Sequence, residues 1–114
     1  MRHAPTQILY KRAIDRFGAV NQAMKAVEEM GELTQALMKY FQSLDNGSKE
    51  ALDRMRAHIA EEMADVVVTM DQLGIIFGNC DEVRDWKSRK QRRLAEQLDQ
   101  LDRWDELKAG AGHE

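Results

Sequence analysis

The sequence has little of several residue types on which other protein classes depend. Its 114 residues include one cysteine, one proline and 6% aromatic residues. The single cysteine, Cys80, excludes an intramolecular disulfide and a cysteine-rich zinc site, and it suits a reducing compartment. The low aromatic content is unfavourable for a β-sandwich or a β-barrel. What the chain contains instead, 43% hydrophobic and 32% charged residues, is typical of a soluble helical protein.

Long apolar segments are also missing from the sequence. No stretch approaches the roughly 18 apolar residues of a membrane span, and the first residues lack the apolar segment of a signal peptide. We therefore expect a cytoplasmic protein without a membrane partner. The net charge of −3 and the pI near 5.6 provide no general attraction for polyanions, which disfavours a nucleic-acid partner. Any phosphate chemistry must then be arranged locally, by metal ions.

Turn-forming residues divide the chain into predicted helices. Gly18, the cluster at 45–48 and Gly78 are the breaks, because glycine and short polar residues end helices and favour turns. The four predicted helices cover residues 5–17, 20–44, 49–77 and 80–107. The pattern predicts an all-α, four-helix bundle-like fold with one domain at 4–108 and a frayed tail at 109–114.

Helical periodicity predicts which faces of the second and third helices are buried. Each helix places apolar residues on one broad arc. The arcs comprise Ala23, Ala26, Val27, Met30, Leu33, Leu37, Tyr40 and Phe41 in the second helix, and Leu52, Met55, Ile59, Met63, Val66, Val67, Met70, Leu73 and Phe77 in the third. Val68 and Ile75 form a separate apolar strip, which predicts a homodimer or a dimer of dimers. The alternative is that the first or fourth helix covers this strip.

Two acidic pairs lie beside these apolar arcs. Glu29 and Glu32 are three residues apart in the second helix, and Glu62 and Asp65 have the same spacing in the third, so each pair projects from one side of its helix. The short connection at 45–48 favours antiparallel packing, which would bring all four carboxylates to one pocket. Taken singly, either pair is more typical of a solvated helix surface.

Four converging carboxylates need a cation, because their mutual repulsion otherwise keeps some of them protonated. Hard oxygen ligands favour Mg²⁺, Mn²⁺ or Ca²⁺. Since Mg²⁺ commonly completes its coordination shell with water and substrate phosphates, the pattern predicts a pocket that binds a triphosphate through Mg²⁺, with Mn²⁺ as a possible substitute.

The same residues resemble a known signature. Glu28-Glu29-x-x-Glu32 followed by Glu62-x-x-Asp65 is similar to the E-E-x-x-E, spacer, E-x-x-D pattern of MazG-like all-α nucleoside triphosphate pyrophosphohydrolases, and the likeness extends over residues 8–95. The spacer of 29 residues is slightly longer than the usual one.

The resemblance carries several implications. It implies a helical bundle completed by oligomerisation, with Glu29, Glu32, Glu62 and Asp65 as catalytic metal ligands. The implied reaction cleaves a (deoxy)nucleoside triphosphate at the α–β bond, giving the monophosphate and pyrophosphate, in a nucleotide-metabolism role. On the wheel Glu28 points away from Glu29, so we expect it to have a supporting or surface role.

Basic residues of the fourth helix are the candidates for substrate binding. Lys87 and Lys90 interrupt an apolar stripe and, with Arg93, are predicted to contact phosphate oxygens. The alternative is that the lysines extend past the end of the bundle into solvent. His58, one turn before Glu62, is on the same side and could contact a metal ligand. The alternative is a bystander role, which is the more common one for a lone histidine on a helix.

Two other functional classes fit the same residues. The acidic bundle could store or sense a divalent metal without turnover, and the charged helices could recognise a partner helix. A di-iron carboxylate protein is disfavoured, because the Glu-x-x-His pairs of that class are absent. Turnover of a nucleotide would separate the enzyme from both alternatives.

Overall fold

The computed structural model describes residues 4–111 and confirms an all-α fold with four helices. The helices are α1 (Ala4–Phe17), α2 (Ala19–Gln42), α3 (Lys49–Phe77) and α4 (Cys80–Ala111). Each predicted helix is present and its bounds differ by a few residues at most. α4 includes residues 109–111 of the segment predicted to fray, whereas residues 112–114 lie outside the described residues. None of these four helices combines the length and apolar character required to cross a membrane.

The breaks between the helices have the predicted local causes. Gly78 ends α3 in the left-handed conformation, at φ 61°, and Gly18 adopts φ 93° between α1 and α2, values that glycine reaches without the steric cost of a Cβ. Ser48 caps α3, since its hydroxyl accepts a hydrogen bond from the backbone N–H of Ala51 at 3.2 Å. These three residues mark where α2 begins and where α3 begins and ends.

The described residues divide into two compact units, one that ends at Gly78 and one that begins at Asn79. In the first unit, α2 and α3 form an antiparallel hairpin, and α1 contacts both. The direction is evident from the pairing, because Gln22 near the start of α2 contacts Gln72 near the end of α3. The second unit is α4, whose residues are all exposed.

The seam between α2 and α3 is narrow and partly polar. Ala26 is fully buried and Ala36 is 9% exposed, and no large side chain of the described residues is completely buried. The buried polar residues of this unit are Gln22, Glu62, Thr69 and Gln72. Two helices can bury only one narrow line of residues against each other. The acidic pairs, expected beside the buried arcs, therefore contribute Glu62 to the seam itself.

The broad apolar arcs are only partly buried. In α3, Leu52, Met55, Ile59, Val66 and Leu73 are half-buried, whereas Met63, Val67, Met70 and Phe77 are exposed. The second group lies on the flank of the seam, where the neighbouring helix does not reach. Val68 of the predicted self-association strip is 42% exposed and Ile75 is half-buried, and the expected oligomer remains a prediction.

Candidate metal centre

Three of the four predicted metal ligands converge across the α2–α3 hairpin. Glu29 and Glu32 lie one turn apart on α2, and Glu62 lies opposite them on α3. Each of the three offers a carboxylate oxygen, and these oxygens all lie within 4.8 Å of one another. This contact joins residues about thirty positions apart in sequence, so antiparallel packing is what assembles the cluster.

The fourth predicted ligand, Asp65, lies close to this cluster but outside the three-carboxylate set. It follows Glu62 by one turn and is exposed. Its charge nevertheless contributes to raising the pKa of both Glu29 and Glu62. Its backbone carbonyl accepts a hydrogen bond from the Thr69 hydroxyl at 3.1 Å. Glu28, the first acid of the motif, is exposed and is not part of the cluster, in agreement with the expected surface role.

Two oxygens of the cluster lack a polar partner. Glu62 is 7% exposed and Glu29 is half-buried, and the Oε2 atom of each is enclosed without a hydrogen-bond donor. Burying a carboxylate oxygen without a donor is costly, and such oxygens are rare in folded proteins. A bound cation or a proton would relieve this cost at both atoms.

The local electrostatics favour protons or cations at the same two residues. Burial raises the pKa of Glu29, and the charges of Glu32, Asp65 and Glu62 raise it further. Burial also raises the pKa of Glu62, as do the charges of Glu32 and Asp65, whereas His58 lowers it. The neighbouring acids thus make Glu29 and Glu62 harder to ionise, which is the behaviour expected of carboxylates in one crowded site.

His58 supports Glu62 from the preceding turn of α3. Its Nε2 atom lies 3.5 Å from Oε1 of Glu62, although the histidine side chain is 58% exposed. This contact engages Oε1 and leaves Oε2 as the enclosed oxygen without a donor. The imidazole is therefore placed to orient the Glu62 carboxylate, a role that sequence reasoning weighed against a bystander role.

The seam contains polar residues beyond the carboxylates, and sequence reasoning missed the Gln22–Gln72 pair among them. The Gln22 side-chain amide donates a hydrogen bond to Oε1 of Gln72 at 2.6 Å, and this pair is buried. Thr69 is also buried and satisfies its hydroxyl on backbone carbonyls of its own helix. Heptad spacing could have indicated that these residues share a face with the carboxylates, since Gln22 precedes Glu29 by seven residues and Thr69 follows Glu62 by seven. The seam thus contains polar residues on both helices in addition to the carboxylates.

A basic groove lies next to His58 on the same hairpin. It encloses about 330 Å³ and is lined by Ala36, Lys39, Ala51, Arg54, Met55 and His58. Lys39 follows Glu32 by two turns of α2, and Arg54 precedes His58 by one turn of α3. The residues of the acidic cluster and those of the groove therefore follow one another along the hairpin, with His58 between them. Sequence reasoning did not find this groove, because Lys39 and Arg54 are single basic residues on different helices, without the matched spacing of the two acidic pairs.

The donor set fits a hard divalent cation. All three converging groups are carboxylates, the ligands that Mg²⁺, Mn²⁺ and Ca²⁺ prefer. Two oxygens bound to one Mg²⁺ at about 2.1 Å lie at most about 4.2 Å apart, slightly closer than the 4.8 Å limit that holds here. Small side-chain rotations would bring the oxygens to that spacing. The cluster could accept the ion without a change of fold.

The predicted phosphate-binding residues Lys87, Lys90 and Arg93 lie on α4, in the second unit. All three are exposed. The Lys90 ammonium lies 6.0 Å from the centre of the Trp86 ring, and the Arg89 guanidinium lies 5.0 Å from it. These are contacts within one helix, and the substrate-binding role of the three residues remains a prediction.

No protein-family model, curated protein or solved structure matches this chain. Its function must therefore be inferred from the site itself. The site consists of three converging carboxylates, two of whose oxygens lack a donor, and an adjoining basic groove.

Proposed function

We propose that the protein is a Mg²⁺-dependent nucleoside triphosphate pyrophosphohydrolase, which cleaves the α–β phosphate bond to release a nucleoside monophosphate and pyrophosphate. The observation that carries this proposal is the convergence of Glu29, Glu32 and Glu62, with enclosed oxygens on Glu29 and Glu62 that have no donor. The resemblance of these residues to the MazG-like signature points to the same reaction class.

The exposure of each carboxylate indicates whether it would bind the metal or accept a proton. Glu29 and Glu62 are the more enclosed ligands and would anchor the ion, with His58 orienting Glu62. Glu32 and Asp65 are exposed, so they can accept a proton from an attacking water on the solvent side. When bound, Mg²⁺ neutralises triphosphate charge and lowers the barrier to attack on the phosphorus.

The basic groove supports a phosphorylated substrate. Lys39 and Arg54 bring two positive charges to a groove that also contains His58, which contacts the metal ligand Glu62. A phosphate chain that extends from the metal along the hairpin would reach these cations about two helical turns beyond the carboxylates. A site that only stored a divalent metal would have no need of a basic extension. This arrangement therefore favours a nucleotide enzyme over a non-catalytic metal-binding module.

Replacing Lys39 or Arg54 with methionine is expected to raise KM for the triphosphate roughly tenfold, because each replacement removes a charge-assisted hydrogen bond to phosphate. Methionine keeps most of the packing stem. Arg56→Met, on the same helix but outside the groove, is the matched control. Lys87→Met and Lys90→Met in the same assay test the predicted role of α4, which an increase in KM would support. Unchanged KM in both groove variants would remove the groove from the substrate site.

Product analysis tests the proposed reaction itself. A panel of ribonucleoside and deoxyribonucleoside triphosphates is incubated with Mg²⁺, with Mn²⁺ and with chelator, and the phosphate products are separated. We expect monophosphate and pyrophosphate in equal amounts, only with metal. Release of orthophosphate and a diphosphate would contradict the assignment. Metal binding without turnover of any nucleotide would leave a metal-binding module, and neither binding nor turnover would leave a helical interaction module.

A further inference from the structure

The charges of α4 are segregated along its length. Residues 84–93 contain six basic side chains and one acidic side chain, whereas residues 96–106 contain five acidic side chains and one basic. Leu94 and Ala95 separate the two segments. The helix therefore has a basic first half and an acidic second half of similar length. A solvated helix surface does not require its basic and acidic side chains to be separated in this way. Pairing with a helix that has the opposite order of charges does.

The two halves share an apolar stripe. Leu94, Leu98 and Leu101 follow one another at intervals of four and three residues, the spacing of a coiled-coil seam. Each of these leucines is more than half exposed, as is Trp104. A helix of this length derives most of its stability from packing of an apolar face, so this stripe requires a partner.

We propose that α4 pairs antiparallel with α4 of a second copy of the chain, around a twofold axis near Glu96. Antiparallel pairing places the basic half of each helix against the acidic half of the other, so charge complementarity operates twice in the symmetric dimer. Parallel pairing would place like charges side by side. An anionic membrane surface would attract the first half but repel the second.

The seam spacing gives a specific register. When Leu94 of one copy packs against Leu98 of the other, the antiparallel direction brings Lys87 opposite Asp105. Both charged residues occupy seam positions of the same heptad pattern, Lys87 one heptad before Leu94 and Asp105 one heptad after Leu98. Lys87, which interrupts the apolar stripe of one helix, then lies opposite Asp105, which interrupts the stripe of the other. The pairing explains both residues without reference to a nucleotide, so it is independent of the proposed function.

Spin-label distances on the full-length chain test the direction of pairing. Cys80 is replaced by serine, and single cysteines are introduced for labelling at Asp81 or at Ala95, which flanks the leucine stripe. The antiparallel register separates the two labels at position 81 by about 45 Å along the helix axis, from a rise of 1.5 Å per residue. Labels at position 95 lie close together beside the twofold axis. Short distances at both positions would mean parallel pairing and overturn the proposal, as would no measurable pair at position 95.

Charge reversal tests the register. Lys87→Glu and Asp105→Lys each place like charges opposite each other twice, and each should weaken self-association at least about tenfold. The chain that carries both reversals restores opposite charges and should return to within a few-fold of wild type. Sedimentation over a concentration series measures the association, and circular dichroism checks that helix content is retained.

Arg92→Glu and Asp99→Lys serve as matched controls, since both residues lie on the side of α4 away from the stripe. They should leave self-association nearly unchanged. If the wild type is monomeric at about 100 µM, a concentration well above micromolar dissociation constants, the proposed pairing is wrong. The pairing is also wrong if the chain with both Lys87→Glu and Asp105→Lys keeps its helix content but associates no better than either single variant.

Discussion

Glu62→Gln is expected to reduce turnover of a triphosphate at least about 100-fold at saturating Mg²⁺, with little change in helix content. The substitution keeps the shape of the side chain but removes the charge of the most enclosed ligand. Loss of a group that only orients a ligand already costs 10- to 100-fold in metal affinity or activity, so loss of a ligand should cost more. Glu29→Gln should have a comparable effect, since its enclosed oxygen is equivalent.

The control for this prediction is the adjacent acid. Glu61→Gln removes the same charge from the same turn of α3, but Glu61 is exposed and outside the cluster. Its turnover should stay within a few-fold of wild type. Steady-state kinetics with a direct assay for pyrophosphate measures all three variants. If Glu61→Gln and Glu62→Gln lose turnover equally, the effect is one of net charge and the assignment of Glu62 as a ligand is wrong.

The same neutralisation should preserve or increase the stability of the metal-free protein. Burial and neighbouring charges raise the pKa of Glu29 and Glu62 above the ordinary value of 4.5, so the folded chain holds these protons more tightly than the unfolded chain. The free energy of unfolding contributed by the two groups is therefore fully present below pH 4.5 and is lost as pH rises through their raised pKa values. Glu62→Gln removes one of these groups, so the free energy of unfolding of the variant should fall less steeply than that of wild type as pH rises above 4.5.

In the presence of metal, the wild type should become more stable than Glu62→Gln. A ligand at a hundredfold excess over its Kd stabilises the native state by about 2.7 kcal/mol, which corresponds to a rise in Tm of roughly 10 °C for a domain of this size. Wild type should show this rise with Mg²⁺ or Mn²⁺, and Glu62→Gln should show much less. Melting curves across pH, with metal and with chelator, measure both effects. A variant that is less stable without metal and responds to metal like wild type would assign Glu62 to a structural ion pair.

Much of the fold could be predicted because its causes are local. Gly18, Gly78 and Ser48 end or cap helices through their own backbone and side-chain chemistry, and these positions were correct. The spacing of Glu29 with Glu32 also follows from the geometry of a single helix. The alignment of Glu62 with them required only that a short connection returns α3 antiparallel to α2.

The seam could be predicted less well, because burial depends on which line of residues two helices present to each other. Met63 and Val67 match the period of a buried face, yet they lie on its flank and are exposed. Glu62 and Thr69 occupy the buried line, since the helices approach along it. Hydropathy ranks methionine above glutamate for burial, and the packing of this hairpin reverses that order.

The helices, their ends and the acidic pairs follow from the local sequence, since each depends on residues within a turn or two of one another. The packing of α2 against α3 brings Glu29, Glu32 and Glu62 within 4.8 Å of one another and leaves Asp65 outside that set. The same packing places Lys39 and Arg54 in one groove. These features depend on the rotation and register of α2 against α3, which are set by how side chains fit across the seam and not by any property of either helix alone.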